Sequence, residues 1–499
     1  MLITSLPASK RLVAVCLMVA AAVVSRPVVG ESPEKTPLVR TVDLDVGETA
    51  SVELCDGSTV EVKLASVVEH RDPVRNALRR AMVTVEIDGE SVVLESSNYQ
   101  LPKTVGRVQI DCPVTKGYLA RANKDNPWSL DRDARLRLWP KGSPWIRPGT
   151  FGYPLDQRWF AGYTQMCNQI SDGERVESKT IYYHWGLDFG GAEGMVDVLA
   201  ATDGTVVSAA GKFFGKKSDY PPTVQPRYDV VYLRDDRGWY YRYSHLFSID
   251  PAVKLGARVA MGQKIGVLGK EGASGGWSHL HFDVSRPMPS GRYGIDDAYA
   301  FAWQAYQQEH PTPLVAVARP HWLARVGDPV VLDASKSYSA AGGDSLKYEW
   351  TLSDGTKAAG STVERTYDQP GWYCETVKVV DAEGRMDYDF AKVMVVSRDN
   401  PRKRPPNVHA AYWPTRGIKP GDAVTFKVIT REIEPGDGHE VWDFGDGSPT
   451  VTTQSVPKPY AYAATTHVFD KPGGYLVTVH RENSRGERGT DRLYVRVEE

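Results

Sequence analysis

The chain has 499 residues, 41% hydrophobic, 24% charged and 10% aromatic, with 45 glycines and 33 prolines spread along its length. That is material for three or four domains of about 100–200 residues each, and it excludes a single small module, collagen-like repeats and wholesale disorder. Sixty Lys and Arg against 62 Asp and Glu leave no basic footprint of the kind a phosphate backbone requires, so no nucleic-acid partner is expected.

The first 30 residues place Lys10 and Arg11 before an apolar run, Leu12 to Val24, and end on the small-residue stretch Val28-Val29-Gly30, the layout of a secretory signal. The run is shorter than the roughly 20 residues a membrane span needs. The product is therefore expected to be soluble and exported, secreted or held in the periplasm or cell envelope, with no membrane span. Cys16 follows Val13-Ala14-Val15 rather than a lipoprotein arrangement, so no lipid anchor is expected. Loss of Lys10, Arg11 and Arg26 from a segment without acids leaves a mildly acidic chain. Four cysteines remain, Cys55, Cys112, Cys167 and Cys374. Export permits disulfides, and four cysteines allow three full pairings. Cys55 with Cys112 is the pairing favoured, since both fall in one module, and Cys374 is expected as a buried free thiol.

From Thr41 to about Trp139 short alternating runs are broken by turn residues, as in Ser58 to Leu64 and in Val83 to Ile87 before Asp88-Gly89. Period-2 alternation bounded by Asp-Gly is the hairpin signature, so residues 31–145 read as an N-terminal β-rich domain, with no cluster assignable to chemistry. A second β-rich region follows over 146–310. At its end Asp296 to Glu309 reads as one helix, capped by Asp296 or Asp297 and closed by His310-Pro311. Beyond Pro311 come two similar units of about ninety residues, 311–398 and 408–499, joined by a stiff charged linker around Pro401 to Pro406. Trp350 with Ser353-Asp354-Gly355 in the first unit corresponds to Trp442-Asp443-Phe444-Gly445-Asp446-Gly447 in the second. Both units resemble PKD domains, an immunoglobulin-like β-sandwich family, which implies an inward Trp and a tight Asp-Gly turn after it. Trp350, Trp372, Trp442 and Tyr475 are expected in the core rather than as a sugar-stacking platform. Adhesion to an extracellular polymer is a role the pair could serve.

Eleven histidines in 499 residues make an isolated His-x-His pair a weak signal. Four of them fall between 184 and 281, in three short signatures: His184-Trp185-Gly186-Leu187-Asp188, Tyr243-Ser244-His245-Leu246, and His279-Leu280-His281-Phe282. On a strand, residues two apart share a face, so His279 and His281 can serve one site. His184 and Asp188 stand about 13 Å apart in an extended chain, so one ion can hold both only if the chain bends, which Gly186 permits. Two imidazoles and a carboxylate suit catalytic zinc, because three protein ligands leave a tetrahedral position for water. If His184, Asp188 and one strand histidine are ligands, the other strand histidine and His245 face that water. There is no His-Glu-x-x-His helix. Asp283, two beyond His281, shares its face and could touch it. His70, His310, His321, His409, His439, His467 and His480 have no companions and read as structural or solvated.

The stretch from about Thr180 to Pro287 resembles the LytM or lysostaphin-like (M23) zinc metallopeptidases. Beyond the three signatures, the resemblance rests on Val198 to Val207, Leu255 to Val259 with Gly262 to Gly266, and Ser278 to Phe282. It implies a mainly β, antiparallel-sheet catalytic domain with one Zn(2+) per chain. By it, His184, Asp188 and His281 are the metal ligands, and His279 and His245 are catalytic. The implied activity is hydrolysis of peptide bonds, chiefly in peptidoglycan stem or cross-bridge peptides. The alternatives are a non-catalytic LytM-like envelope factor that activates other hydrolases, and a secreted protease acting on extracellular protein. The chain departs from the family between Ala210 and Val230, where Lys212, Phe213, Phe214, Lys216, Lys217, Tyr220, Pro221 and Pro222 replace a short glycine-rich hairpin. The glycine-rich approach to the histidine strand, Gly266 to Trp277, is present and would let a substrate backbone pass close. A monomer is expected, since no heptads or long apolar stripe occur.

Overall fold

Alternation and turn chemistry build the N-terminal part as two four-stranded antiparallel sheets. One runs as a meander through Thr49–Glu53, Thr59–Arg71, Leu78–Ile87 and Glu90–Ser96, and the other orders Arg40–Leu44, Ala134–Pro140, Val108–Thr115 and Lys103–Val105. Val60, Val62, Leu64, Val83 and Val85 from the first sheet share one core with Ile110, Leu136 and Leu138 from the second. Asp88 and Gly89, at φ 49° and 88°, form the two-residue turn that pairs Ile87 with Glu90, a type I′ geometry. The computed structural model describes residues 36–499 other than positions 97, 123, 124 and 457. The expected signal segment with Cys16 lies outside the described residues. Among the described residues no helix is long and apolar enough to cross a membrane.

The expected Cys55–Cys112 pairing does not form. Cys55 sits half-buried in the hairpin turn between two strands of the first sheet, whereas Cys112 is buried on a strand of the opposing sheet. Both are free thiols, as are Cys167 and Cys374. Cys374 is buried as expected, and burial pushes its pKa up to about 12.

The central sheet is antiparallel. Its main strands are β1 (Thr164–Gln165), β2 (Leu187–Gly190), β3 (Gly204–Ala209), β4 (Val231–Arg234), β5 (Tyr240–Ser244) and β6 (His279–Pro287), ordered β3-β4-β5-β6-β2-β1. A three-stranded sheet of Asp197–Leu199, Lys264–Leu268 and Leu246–Ile249 stands beside it. On β6 the even positions Leu280, Phe282 and Val284 are fully buried among Leu187, Tyr241, Tyr243 and Phe301. That period of two leaves His279, His281 and Asp283 together on the other face.

Among the described residues the only α-helix, α1, spans Tyr299–Glu309 and packs Phe301 and Trp303 into this core. It begins later than expected. Asp296 ends a strand paired with β6 and is held by Arg137 and Arg286, so it is not a cap. Asp297 accepts a hydrogen bond from the Tyr299 N–H at 2.8 Å, and His310 closes the helix.

The two C-terminal units are β-sandwiches whose cores enclose Trp350 and Trp442, both fully buried. They are not beads on a spacer. Strand β7 (Gly371–Val380) of the first pairs in parallel with a strand of the second, Gly371 against Arg488 and Trp372 against Gly489, so one nine-stranded sheet runs through both. Arg404 of the connecting segment pairs with Glu432 at 2.7 Å and donates to the Gly173 carbonyl at 2.8 Å. Trp372 is buried, but at a junction, packed with Leu323, Met394, Val74 and Val176 rather than inside its own sandwich.

Candidate functional site

Sheet register assembles the site. On β6, His281 lies opposite Asp188 of β2 on one side and opposite Ser244 of β5 on the other, while His279 lies opposite Gly190. His245 follows Ser244 at the end of β5 with φ +67°, an uncommon conformation for a residue with a side chain. Its N–H donates to the Asp229 carboxylate at 2.9 Å. His184 reaches the cluster because the chain bends at Gly186. A Cβ there would lie 2.9 Å from the His281 ring and from the Phe282 carbonyl oxygen, so only glycine allows the close approach.

The result is a tight triad. His184 Nε2 is 2.9 Å from His281 Nδ1 and 3.1 Å from Asp188 Oδ1, which is itself 2.9 Å from His281 Nδ1. All three residues are buried and form a group able to hold a metal ion. Their outer atoms decide their protonation. His184 Nδ1 faces the Met166 carbonyl at 3.3 Å and His281 Nε2 faces the Asp283 carboxylate at 3.2 Å. Carbonyl and carboxylate oxygens only accept, so in the neutral form of each ring the outer nitrogen carries the proton and the inner nitrogen presents a lone pair; against burial, the Asp188 and Asp283 carboxylates raise the His281 pKa, so a cation at the triad has a proton to displace there. Three lone pairs thus converge within 3.1 Å of one another, an arrangement that repels itself unless a cation lies between. Ligand bonds of about 2.0–2.2 Å in a tetrahedral zinc site set ligand atoms roughly 3.3 Å apart, close to the spacing found. The donor set therefore fits zinc, and Asp283 supplies the carboxylate that commonly orients a liganding histidine.

Two more imidazoles face the triad. His279 Nδ1 donates to the Trp277 carbonyl at 3.0 Å, leaving Nε2 unprotonated 3.4 Å from Asp188 Oδ2. His245 Nδ1 donates to the Glu271 carbonyl at 2.6 Å, and its ring centroid lies 4.6 Å from that of His279. Burial lowers the pKa of both, for His245 against an opposing bond from Asp229 and for His279 against Asp188, so both are neutral at pH 7. Arg227 and Asp229, paired at 2.6 Å beside His245, carried no signal in the sequence. Burial opposes ionisation of Asp229, and His245 and Arg227 still draw its pKa far below normal.

All five expected site residues thus come together. They sit where two hollows meet. A cavity of about 520 Å³ extends from the triad past Trp277 to residues of the C-terminal sandwiches, among them His321, Trp372, His409, Arg431 and Tyr460. An open groove of about 1140 Å³ runs the other way past Trp185, Arg242 and Tyr293. The segment that departs from the family lines this second arm through Tyr220, Pro221, Pro222 and Thr223. His321 and His409, expected as structural or solvated, are buried in the first cavity wall. Nothing near them in sequence indicates this, because domain docking alone brings them in. The glycine-rich approach also serves that docking. Gly276, at φ +83°, lies so close under the Tyr460 ring that a Cβ would meet it at 2.5 Å.

Comparison with known proteins agrees with this architecture. Residues 182–292 match the model of peptidase family M23, and residues 310–395 and 409–492 each match a PKD domain model. The chain therefore carries a peptidase domain of the M23 family followed by two PKD domains. No curated protein matches the chain. Similar solved structures include Helicobacter pylori Csd3 in its hexagonal crystal, at 14% identity and TM-score 0.19 over 55% of this chain and 80% of that one. The orthorhombic crystal of Csd3 is similar at 16% identity and TM-score 0.18, covering 51% and 82%. The fibronectin(III)-like modules of Clostridium thermocellum CbhA are similar at 11% identity and TM-score 0.16, covering 37% and 94%.

Proposed function

We infer that the protein is an exported zinc metalloendopeptidase that hydrolyses peptide bonds in peptidoglycan stem or cross-bridge peptides. The observation that carries this reading is the convergence of His184, Asp188 and His281 into one group able to hold a metal ion, with two neutral imidazoles beside it, His279 with Nε2 3.4 Å from Asp188 and His245 with its ring 6.1 Å from that of His281. A zinc ion held by the triad would supply Lewis acidity, making water nucleophilic near neutral pH and polarising the scissile carbonyl.

The protein's own groups do the rest. Nε2 of His245 or His279 takes the proton of the attacking water as its oxygen bonds to the carbonyl carbon. The same proton passes to the amide nitrogen as the C–N bond breaks. While protonated, the imidazole donates to the oxygen on which charge develops. The bonds from His279 Nδ1 to Trp277 and from His245 Nδ1 to Glu271 hold the tautomers this requires. The two arms of the cleft give an extended peptide room on both sides of the bond cut. Non-catalytic LytM-like factors typically lack metal ligands, and the intact set favours the enzyme over that alternative.

The test measures zinc content and the release of soluble fragments from purified peptidoglycan, with a casein gel in parallel, for wild type and His281→Ala. Stoichiometric zinc and fragment release are expected of the wild type. The variant should lose both, with hydrolysis down more than about a hundredfold, the scale of removing a ligand or an essential group. Hydrolysis undiminished in His281→Ala overturns the reading. Clearing of casein alone moves the substrate to extracellular protein.

A further inference from the structure

Two groups make opposed claims on one nitrogen of His245. Its Nδ1 lies 2.6 Å from the Glu271 carbonyl oxygen, which only accepts, and 3.1 Å from Arg227 Nη2, which only donates. The carbonyl selects the tautomer with the proton on Nδ1 and a lone pair on Nε2. The guanidinium selects the reverse, with Nδ1 accepting and the proton on Nε2. The bond made at one ring nitrogen fixes the state of the other, so only the first tautomer can take a proton from water at Nε2. Arg227 is always at hand, because Asp229 holds it at 2.6 Å. Asp229 Oδ2, 3.5 Å from Nδ1, is already taken by Arg227 and by the His245 N–H. The tautomer therefore turns on where the Glu271 carbonyl stands.

That carbonyl shares a planar peptide unit with the Gly272 N–H, and in a trans peptide the two point in opposite directions. Holding one end fixes the other. Among the described residues, the hydrogen bonds that reach this unit come from His245 on the carbonyl side and from Tyr228 on the amide side. The Tyr228 hydroxyl accepts from the Gly272 N–H at 2.8 Å and donates to the Glu271 carboxylate at 3.2 Å, and one hydroxyl can do both. Gly272 has φ +62°, and a Cβ there would lie 2.5 Å from Arg227 Nε and 2.7 Å from Asp229 Oδ1. The loop thus rests against the Arg227–Asp229 pair at a residue that has no side chain of its own to anchor it. Tyr228 belongs to the segment that departs from the family. It is 60% exposed, so its ring adds little to the core and its hydroxyl is what the site uses.

We propose that Tyr228 is a positioning residue: by holding the Glu271–Gly272 peptide it keeps the carbonyl on His245 Nδ1, and so keeps His245 in the tautomer that accepts a proton at Nε2. This rests on the peptidase reading and adds a control on its base. If the peptide turns, Arg227 takes over Nδ1, the proton moves to Nε2, and His245 has no lone pair for the attacking water.

The test uses the full-length chain labelled with 15N-histidine, as wild type, Tyr228→Phe and Tyr475→Phe. The last is a control that loses a tyrosine hydroxyl bond at 2.8 Å in the second sandwich. Two-bond 15N–1H spectra at pH 8 read the tautomer, with the His245 signals identified by their absence in His245→Gln. KM, kcat and zinc content are measured on the zinc-loaded chain with solubilised peptidoglycan fragments. Wild type and Tyr475→Phe should show the proton on Nδ1. Tyr228→Phe should show a large fraction with the proton on Nε2 and a kcat lower by about tenfold, the scale of one to two net hydrogen bonds, with KM and zinc content within twofold. His245 keeping its Nδ1 proton in Tyr228→Phe overturns the proposal whatever the turnover, and so does a shifted tautomer with kcat unchanged. A shifted tautomer in a chain whose wild type hydrolyses nothing refutes the peptidase reading and leaves the hold on His245 standing, whereas hydrolysis with an unshifted tautomer does the reverse.

Discussion

Replacing Asp283 by Asn tests the proposed metal site without changing His184, Asp188 or His281. The Asp283 side chain is 2% exposed and accepts from His281 Nε2 at 3.2 Å, with Arg242 Nη1 3.5 Å away on the same oxygen. The amide keeps the shape but removes the charge. Its one oxygen can still accept from both His281 and Arg242, as the carboxylate oxygen does, so what is lost is the negative charge facing the ring and the guanidinium. When the ring loses its anionic partner it is a weaker base and can also flip tautomer, moving the proton onto Nδ1 and removing the lone pair from the triad. Loss of such a partner weakens metal binding by about 10–100-fold, or about 1.4–2.8 kcal/mol. Competition against a chelator of known affinity at pH 7 reads this directly. Asp229→Asn serves as the control, because Asp229 bonds to His245 and to no ligand. It should lower turnover and leave zinc affinity within threefold. An affinity for Asp283→Asn within twofold of wild type would falsify the tautomer argument, and with it the reading of three converging lone pairs.

Two further perturbations address how the modules hold together. Glu174 is buried between Arg79 at 2.7 Å, Arg75 at 3.1 Å and His321 Nε2 at 3.1 Å. Arg75 retains Asp172 and Arg79 retains Asp72, so Glu174→Gln should cost about 3 kcal/mol, the low end for breaking a buried pair. Chemical denaturation measures it, and a loss below about 1 kcal/mol contradicts the assignment. Burial raises the Asp297 pKa from 3.8 to about 6. A carboxyl whose pKa is higher in the folded state favours folding fully below pH 3.8, and that contribution is lost as pH rises through about 6. Asp297→Asn, which keeps the acceptor for the Tyr299 N–H, should therefore stabilise the protein at pH 7. The gain is at most about 3 kcal/mol and nearer 1–2, because the side chain retains some solvent. It should vanish below pH 4, and a gain independent of pH rules the mechanism out.

Much of the candidate site was legible because its geometry is local. His279 and His281 need only the period of a strand to share a face, and Gly186 within His184 to Asp188 is where a bend can bring the two ends of that five-residue run together. The Trp442 to Gly447 run likewise encodes its own inward side chain and turn. What could not be read depends on contacts between remote segments. Asp296 looks like a helix cap until Arg137 and Arg286 claim it for an ion pair. Trp372 looks like a sandwich core residue until Val74 and Val176 of other modules pack against it. Cys55 and Cys112 belong to one domain but to opposite sheets, a distinction alternation alone does not make. His409 and Arg431 lie on strands with ordinary patterning, and only docking against the catalytic domain turns them toward a cavity.

That docking determines what the C-terminal pair contributes to the site. Tyr462 accepts a hydrogen bond from the Ser278 N–H at 2.7 Å, one residue before His279, and Tyr460 covers Gly276. Arg431 holds the Gly275 carbonyl and Lys427 the Glu193 carbonyl, each at 2.5 Å. Four side chains of the second sandwich therefore grip the catalytic domain, three of them along the loop that leads into the histidine strand. Trp277 in that same loop both orients His279 through its carbonyl and stacks on the ring. A tether whose only task is to adhere to polymer has no need of such contacts and would be free to swing on a linker. Here the shared sheet and the anchored Arg404 remove that freedom, and the grip on the loop transmits the position of the sandwich to the strand bearing His279 and His281. The geometry makes the second sandwich a structural wall of the cavity that holds the triad.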